Sequence, residues 1–288
     1  MLISSVAKVR DVLDAQLEVD YCLTPGAIGL MRQFGGNLLT APRQELVDMG
    51  QARRRYTDHW ELRLAHYSGI TLLSAKHQKV LESIADLLNG DNGSWIGDYS
   101  KLQRVNDYLT PAALQNTGTA LFFVPSATFF ASSEMHVRAR EQLSQSFNFR
   151  WLEPHEFEQF RDDRRFSNAL GFSALRPDIH VLAAEKDGEI QAMAGASDDS
   201  ELMCQIGIDV LEPLRGHGLA PVMVREVAQR VCETGKVPFY GTSPSHIVSQ
   251  KVAINAGMEP AWYEFASTSL LDIDVDTPEQ GLIEGRPE

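Results

Sequence analysis

Cysteine is scarce in this 288-residue chain: Cys22, Cys204 and Cys232 lie far apart, without a Cys-x-x-Cys pair or histidines at zinc-ligand spacing. That excludes a disulfide-stapled scaffold and a cysteine-rich metal module, and no metal is expected; the three thiols read as buried in a reducing compartment. Long hydrophobic runs are missing too. No apolar stretch approaches bilayer length, and Lys8, Arg10 and Asp11 interrupt the first segment, so neither a spanning helix nor a signal-peptide core is expected and a cytoplasmic address follows. Basic residues are in the minority, 26 Lys and Arg against 39 Asp and Glu, for a formal charge of −13. This balance argues against nucleic acid and is compatible with a cationic amine as partner.

The length accommodates two modest domains, and a hydrophobic share of 43% is that of a globular protein. The polar stretch Ser132 to Ser146 contains neither proline nor glycine, reads as helical, and is placed as the connection. The expected organisation is therefore an N-terminal α/β domain over 1–131, a connecting segment over 132–146 and a C-terminal domain over 147–288. In the first, a helix is predicted over Ser4 to Leu17, where Val6, Val9, Leu13 and Leu17 repeat at helical spacing, and a second over Arg43 to Leu64. Arg53-Arg54-Arg55 reads as a solvated face of that second helix. A strand over Gly69 to Ala75, helices over Lys76 to Leu88 and Asp98 to Leu109, and a strand over Thr119 to Val124 complete this half. It shows no constellation that carries chemistry.

The C-terminal half begins with a strand over Phe149 to Leu152 and two short helical patterns between Pro154 and Phe172. Ile179 to Glu185 and Glu189 to Ala196 flank Asp187-Gly188, the signature of a tight hairpin. A central strand near Met203 to Leu211 then runs into the turn Arg215-Gly216-His217-Gly218, which opens onto a helix carrying Leu219, Val222, Met223, Val227 and Val231 on one face. A helix start presents unpartnered backbone N–H groups and the positive end of the macrodipole, so this loop suits a phosphate. The alternative is a tight turn that needs glycine only for its dihedrals. A strand over Val237 to Gly241, a helix closed by Gly257 and a strand over Trp262 to Ile273 finish the chain.

Val210 to Ala220 resembles the acetyl-CoA signature of the GNAT superfamily of N-acetyltransferases: Arg215, Gly218 and Ala220 match its Arg/Gln-x-x-Gly-x-Gly/Ala pattern, with the usual Pro-Glu shifted to Glu212-Pro213. His246-Ile247-Val248-Ser249 resembles the Asn-x-x-Ser of the family's later helix. The resemblance covers about the last half of the chain. It implies a mixed central sheet flanked by helices (α/β, or α+β), a GNAT fold C-terminal to a smaller α/β domain, and acetyl-CoA-dependent acetylation of a primary amine on a small molecule or peptide. Because GNAT chains are often tandem, Gly69 to Leu88 with the Phe122 strand is also read as a candidate degenerate second copy. A homodimer stays open.

What the resemblance implies for the site is specific. The central strand parts from its neighbour, backbone near Ile208 and Val210 pairs with the pantetheine arm, and Arg215, Gly216, His217, Gly218, Leu219 and Ala220 hold the pyrophosphate, with Ser249 on the later helix. The catalytic candidates are Asp209, His246 and Tyr240, with Tyr263 also flanking the site. Gln205 stands where several relatives carry a glutamate base, and Ala253 where many carry a tyrosine acid. Asp209 reads equally as a structural carboxylate capping a turn. Those two departures motivate the rival reading, a GNAT-like acyl-CoA-binding sensor or scaffold without catalysis.

Overall fold

The structure, a computed structural model, describes residues 2–44, 51–53, 60–91, 93–131 and 134–269. Helices α1 (Val6–Asp20), α2 (Ala27–Phe34), α3 (Gln78–Leu88), α4 (Tyr99–Leu109), α5 (Ala127–Phe130), α6 (Glu134–Ser144), α7 (Pro154–Phe157), α8 (Leu219–Glu233) and α9 (Ile247–Asn255) alternate with strands to give a mixed α/β fold. The strands are β1 (Leu38–Pro42), β2 (Leu62–Tyr67), β3 (Ile70–Ala75), β4 (Leu114–Pro125), β5 (Asn148–Leu152), β6 (Asp178–Lys186), β7 (Glu189–Asp198), β8 (Met203–Val210), β9 (Val237–Thr242) and β10 (Met258–Ser269). The described residues fall into two compact units, one built from the segment up to Val12 and from Phe123–Pro260, the other from Leu13–Phe122 and from Ala261 onward.

In the unit that contains Leu13–Phe122, β1 is parallel to β3, β3 forms a hairpin with β2, and β2 is antiparallel to β10. Leu64, Leu73 and Ile84, none of them exposed, join Leu109 and Phe265 in its core. The helix predicted over Arg43 to Leu64 is partly overturned. Residues 45–50 and 54–59 lie outside the described residues, but Leu62, Arg63 and Leu64 open β2. Helix-forming composition is a weak prior, and pairing with β3 over buried side chains outweighs it.

Arg53 is likewise not on a solvated face. It is 5% exposed, its Nη2 lies 2.9 Å from Glu264 Oε2, and its Nε donates to Asp20. Burial of the neighbouring Arg63 lowers its guanidinium pKa, opposed first by Asp20. Removing one partner from such a cluster leaves a buried charge uncompensated, so these residues are structurally committed.

In the other unit β5, β6, β7 and β8 form an antiparallel run. Asp187 and Gly188 take φ of 54° and 83° in the β6–β7 turn, as the Asp-Gly pair predicts. β9 then pairs with β8 in parallel. Helix α8 crosses from one to the other with Leu219, Val222, Met223, Val227 and Val231 all buried. The predicted connecting segment carries α6, and β10 begins at Met258, four residues before the expected start. Both units hold a hairpin whose second strand leads into a helix (β3 into α3, β8 into α8) and has a parallel neighbour. That neighbour precedes the hairpin in one unit, as β1, and follows it in the other, as β9.

Candidate functional site

The register between β8 and β9 runs from Met203↔Val237 to Gln205↔Phe239 and ends there, although β8 continues to Val210 and β9 to Thr242. From Ile206 to Val210, β8 pairs only with β7, through Ala192↔Val210 to Ala196↔Ile206. The two parallel strands thus part halfway along β8. Burial follows the same boundary: Met203 and Cys204 are fully buried, whereas Gly207 to Val210 are half-buried. The peptide groups of Ile208 and the Val210 N–H on the parted side are therefore available to an extended ligand, since an exposed strand edge pairs readily with added backbone-like groups.

Beyond Val210 a short 3₁₀ turn, Glu212–Leu214, leads to the glycine loop. Gly216 and Gly218 take φ of 82° and 84°, and a Cβ at either would meet nothing within 4 Å. Positive φ explains the glycines locally, and the open space beyond them leaves the loop accessible. Gly218 caps α8 without a side-chain hydrogen bond. Among the described residues no backbone hydrogen bond engages the N–H groups of Gly216 through Ala220. Those groups and the helix dipole make this terminus an anion cradle.

Arg215 is exposed and folds back on the strand, its Nε donating to the Val210 carbonyl at 3.0 Å, while His217 Nδ1 lies 3.0 Å from the Arg215 carbonyl. The side chain thus holds the end of β8 against the loop. As the resemblance of Val210 to Ala220 to an acetyl-CoA signature implies, Arg215→Ala is expected to weaken CoA binding by about 1 to 3 kcal/mol, the range for a hydrogen bond to a charged group. Calorimetry with CoA and dephospho-CoA checks this: equal losses place the contact at the pyrophosphate, and unchanged affinity for both restricts Arg215 to bracing Val210.

Asp209 turns away from solution chemistry. Its carboxylate accepts from Asn168 N–H at 2.8 Å, Asn168 Nδ2 at 2.6 Å and Ala169 N–H at 3.0 Å. Burial raises its pKa, and the hydrogen bonds to Asn168 and Ala169 oppose that rise. Asp178 on β6 does the same for the next turn, accepting from Gly171 N–H at 3.1 Å and Phe172 N–H at 2.9 Å. Two carboxylates from the sheet therefore pin the segment 168–172 across it. Phe166, Ala169 and Leu170 bury their side chains there against Val181 and Met193.

The approach is so close that a Cβ on Gly207 would lie 1.7 Å from the Asn168 carbonyl oxygen, and one on Gly195 1.8 Å from that of Ala169. The seating of this segment on the sheet is a packing feature that the sequence reading missed. Glycine inside a strand marks close backbone approach, so Gly195 and Gly207 were the signal for it.

Tyr240 and Ser249 come together, hydroxyl to hydroxyl at 2.9 Å, from β9 and α9. Burial raises the Tyr240 pKa above its ordinary value, opposed by the Ser249 hydrogen bond and reinforced by the charge of Asp209. The phenol is therefore protonated at neutral pH. His246 caps α9 from an exposed position and makes no side-chain cap bond. Gln250 braces the loop before it by donating to the Pro244 carbonyl at 2.7 Å. Ala253 is fully buried. Tyr263 pairs with His66 in the β10–β2 ladder of the other unit.

A family model of the GNAT acetyltransferases matches residues 138–252. Over that span the chain is similar to the GNAT acetyltransferases. Its match takes in the meander, the parted strands, the glycine loop and most of α9. No curated protein matches the chain significantly. Among solved structures, the chain is similar to a GCN5-related N-acetyltransferase-like protein from Streptococcus suis, at 13% identity over 72% of this chain and 83% of that one, with a TM-score of 0.44. It is also similar to an acetyltransferase of the GNAT family from Colwellia psychrerythraea, at 14% identity over 92% and 98%, TM-score 0.41. An aminoglycoside N-acetyltransferase in complex with CoA shares 24% identity over 39% of this chain and 91% of its own, TM-score 0.31.

The GNAT family carries acyl transfer in general and binds acyl-CoA. No helix among the described residues is long and apolar enough to cross a membrane, and no cluster of three metal-ligating side chains occurs among them.

Proposed function

We propose that the chain is an acetyl-CoA-dependent N-acetyltransferase acting on a primary amine of a small molecule or peptide. The observation that carries this reading is the parting of β8 from β9 after Gln205↔Phe239, directly before the open glycine loop and the start of α8. Free strand edge and anion cradle follow each other in the order that an extended arm ending in a pyrophosphate requires. Ile208 and Val210 hold the arm by backbone, and Gly216 to Ala220 hold the phosphates through N–H groups. Acetyl-CoA supplies a thioester whose acyl carbon is open to an amine. Fixing both reactants in line supplies much of the rate.

Tyr240 is the proton donor in this reading. Its hydroxyl keeps its proton at neutral pH and is oriented by Ser249, so it can pass that proton to the departing sulfur. Asp209 is the anchor of the 168–172 segment, since three of its lone-pair positions are already used. His246, exposed at the start of α9, is the remaining candidate to accept the ammonium proton, alone or through water.

Tyr240→Phe is expected to lower kcat by about 100-fold with CoA affinity unchanged. A raised phenol pKa keeps the protonated form to higher pH, so wild-type activity persists below the shifted value and falls only above the ordinary 10.0. Asp209→Asn should lower thermal stability and raise the KM for the amine, whereas a base would lose kcat alone. His246→Ala should lower kcat with CoA affinity unchanged.

The second reading, an acyl-CoA-binding module without catalysis, is favoured by the commitment of Asp209 and by buried Ala253. Monitoring CoA release over a broad amine panel separates the two. Turnover on any amine above thioester hydrolysis supports the enzyme, and tight CoA binding without turnover supports the module.

A further inference from the structure

Helix α4 turns Val105 and Leu109, 1% and 0% exposed, into the core of its unit. A second set at helical spacing, Tyr99, Leu102, Gln103 and Asn106, points along another face and lines a groove of about 350 Å³ against the start of β4, where Asn116 and Thr119 complete it. Helix faces that meet a sheet normally bring apolar side chains. This one brings two amides and a phenol beside Leu102, met by an amide and a hydroxyl, and no charged residue lines the space.

The groove is built by the backbone as well. Asn116 accepts from Gly118 N–H at 2.9 Å, and Gly118 takes a φ of 148°, which shapes the strand where it borders the groove. Thr119 is held by a hydrogen bond with Tyr263. On the opposite wall Asn106 Oδ1 is buried without a hydrogen-bond partner. A buried amide oxygen left unpaired is costly, and with almost no accessible surface it meets a ligand donor only when the Asn106 amide turns into the groove. At the mouth, Tyr99 is 80% exposed and presents a flat ring.

We propose that this groove is a binding site for a neutral polyhydroxylated ligand of monosaccharide size. Hydroxyl groups both donate and accept, as the Asn and Gln amides do, so a sugar edge satisfies the groove without leaving a polar group unpaired. Phosphates, carboxylates and ammonium groups find no countercharge here, and a purely apolar ligand leaves Asn106 unpaired. The C–H face of a pyranose covers the exposed Tyr99 ring. The volume lies at the small end of ligand pockets, which excludes longer occupants held along their whole length. The site stands on residues of one unit and does not depend on the acetyltransferase reading.

Saturation-transfer NMR and calorimetry on the full chain test this with methyl glycosides of glucose, galactose, mannose and N-acetylglucosamine, and adenosine as the aromatic competitor. At least one glycoside is expected to bind with a Kd on the order of 1 mM, weakened about tenfold or more by Asn106→Leu and by Tyr99→Ala, the loss of about one good contact. CoA affinity should be unchanged in both variants. Absence of binding by every glycoside, equal affinity in wild type and Tyr99→Ala, or preference for adenosine overturns the proposal. Tyr99→Ala decides alone if Asn106→Leu does not fold.

Discussion

Gly207→Ala is expected to destabilise the protein by about 3 kcal/mol and to cost roughly 10 °C in Tm, the combined effect of overpacking and lost hydrogen bonds. The added methyl would lie 1.7 Å from the Asn168 carbonyl oxygen, which belongs to backbone and has no rotamer to escape into. The segment must lift from the sheet, and the three hydrogen bonds to Asp209 lengthen or break with it. Gly195→Ala on the adjacent strand should behave alike, because its Cβ meets the Ala169 carbonyl oxygen at 1.8 Å. Gly188→Ala is the control: its Cβ meets nothing, and only the φ of 83° is strained, a cost of about 1 kcal/mol. Thermal melts of the three variants check the ordering. If Gly207→Ala melts with Gly188→Ala, the segment is not seated on β8 as described.

Gly218→Asp should abolish CoA binding, by about 100-fold or more, in a protein that still folds. Position 218 is the N-cap of α8 with a φ of 84° and open space around it, a conformation Asp tolerates better than most residues. A carboxylate there also favours the helix start, which offsets the strain of the left-handed φ, so thermal stability should change by no more than about 1 kcal/mol. The same charge occupies the cradle and repels phosphate oxygens, each unit pair at 4 Å costing about 1 to 4 kcal/mol between water and an effective dielectric near 20. Gly218→Ala, which adds bulk and strain without charge, should lose much less. Calorimetry separates these outcomes, and unchanged CoA affinity in a folded Gly218→Asp protein would remove the loop from the phosphate role.

Most of the stretch from β5 to α9 was legible because its signals are local. Asp187-Gly188 specifies a hairpin through the φ that both residues can adopt, and Leu219 to Val231 specifies a buried helix face through its spacing alone. The glycine loop was legible for the same reason. The unit that contains Leu13–Phe122 was less so. Leu62 to Leu64 reads as a continuation of good helix formers, yet Arg63 is 1% exposed within a strand, and Arg53 finds Asp20 and Glu264 from far along the chain. Partners separated by 33 and 211 residues leave no periodic trace in a sequence.

Turn dihedrals, helical spacing and helix-end capping are properties of neighbours in the chain, so the order of elements around residues 148–257, the glycine turn and the residue types available for chemistry were legible without any contact. Where those residues sit and what they touch came from packing. It set where β8 leaves β9, committed Asp209 to the 168–169 backbone, paired Tyr240 with Ser249 and opened the amide-lined groove beside α4. Each of these depends on which distant backbone comes within hydrogen-bond reach, a distance set by packing and not by spacing along the chain.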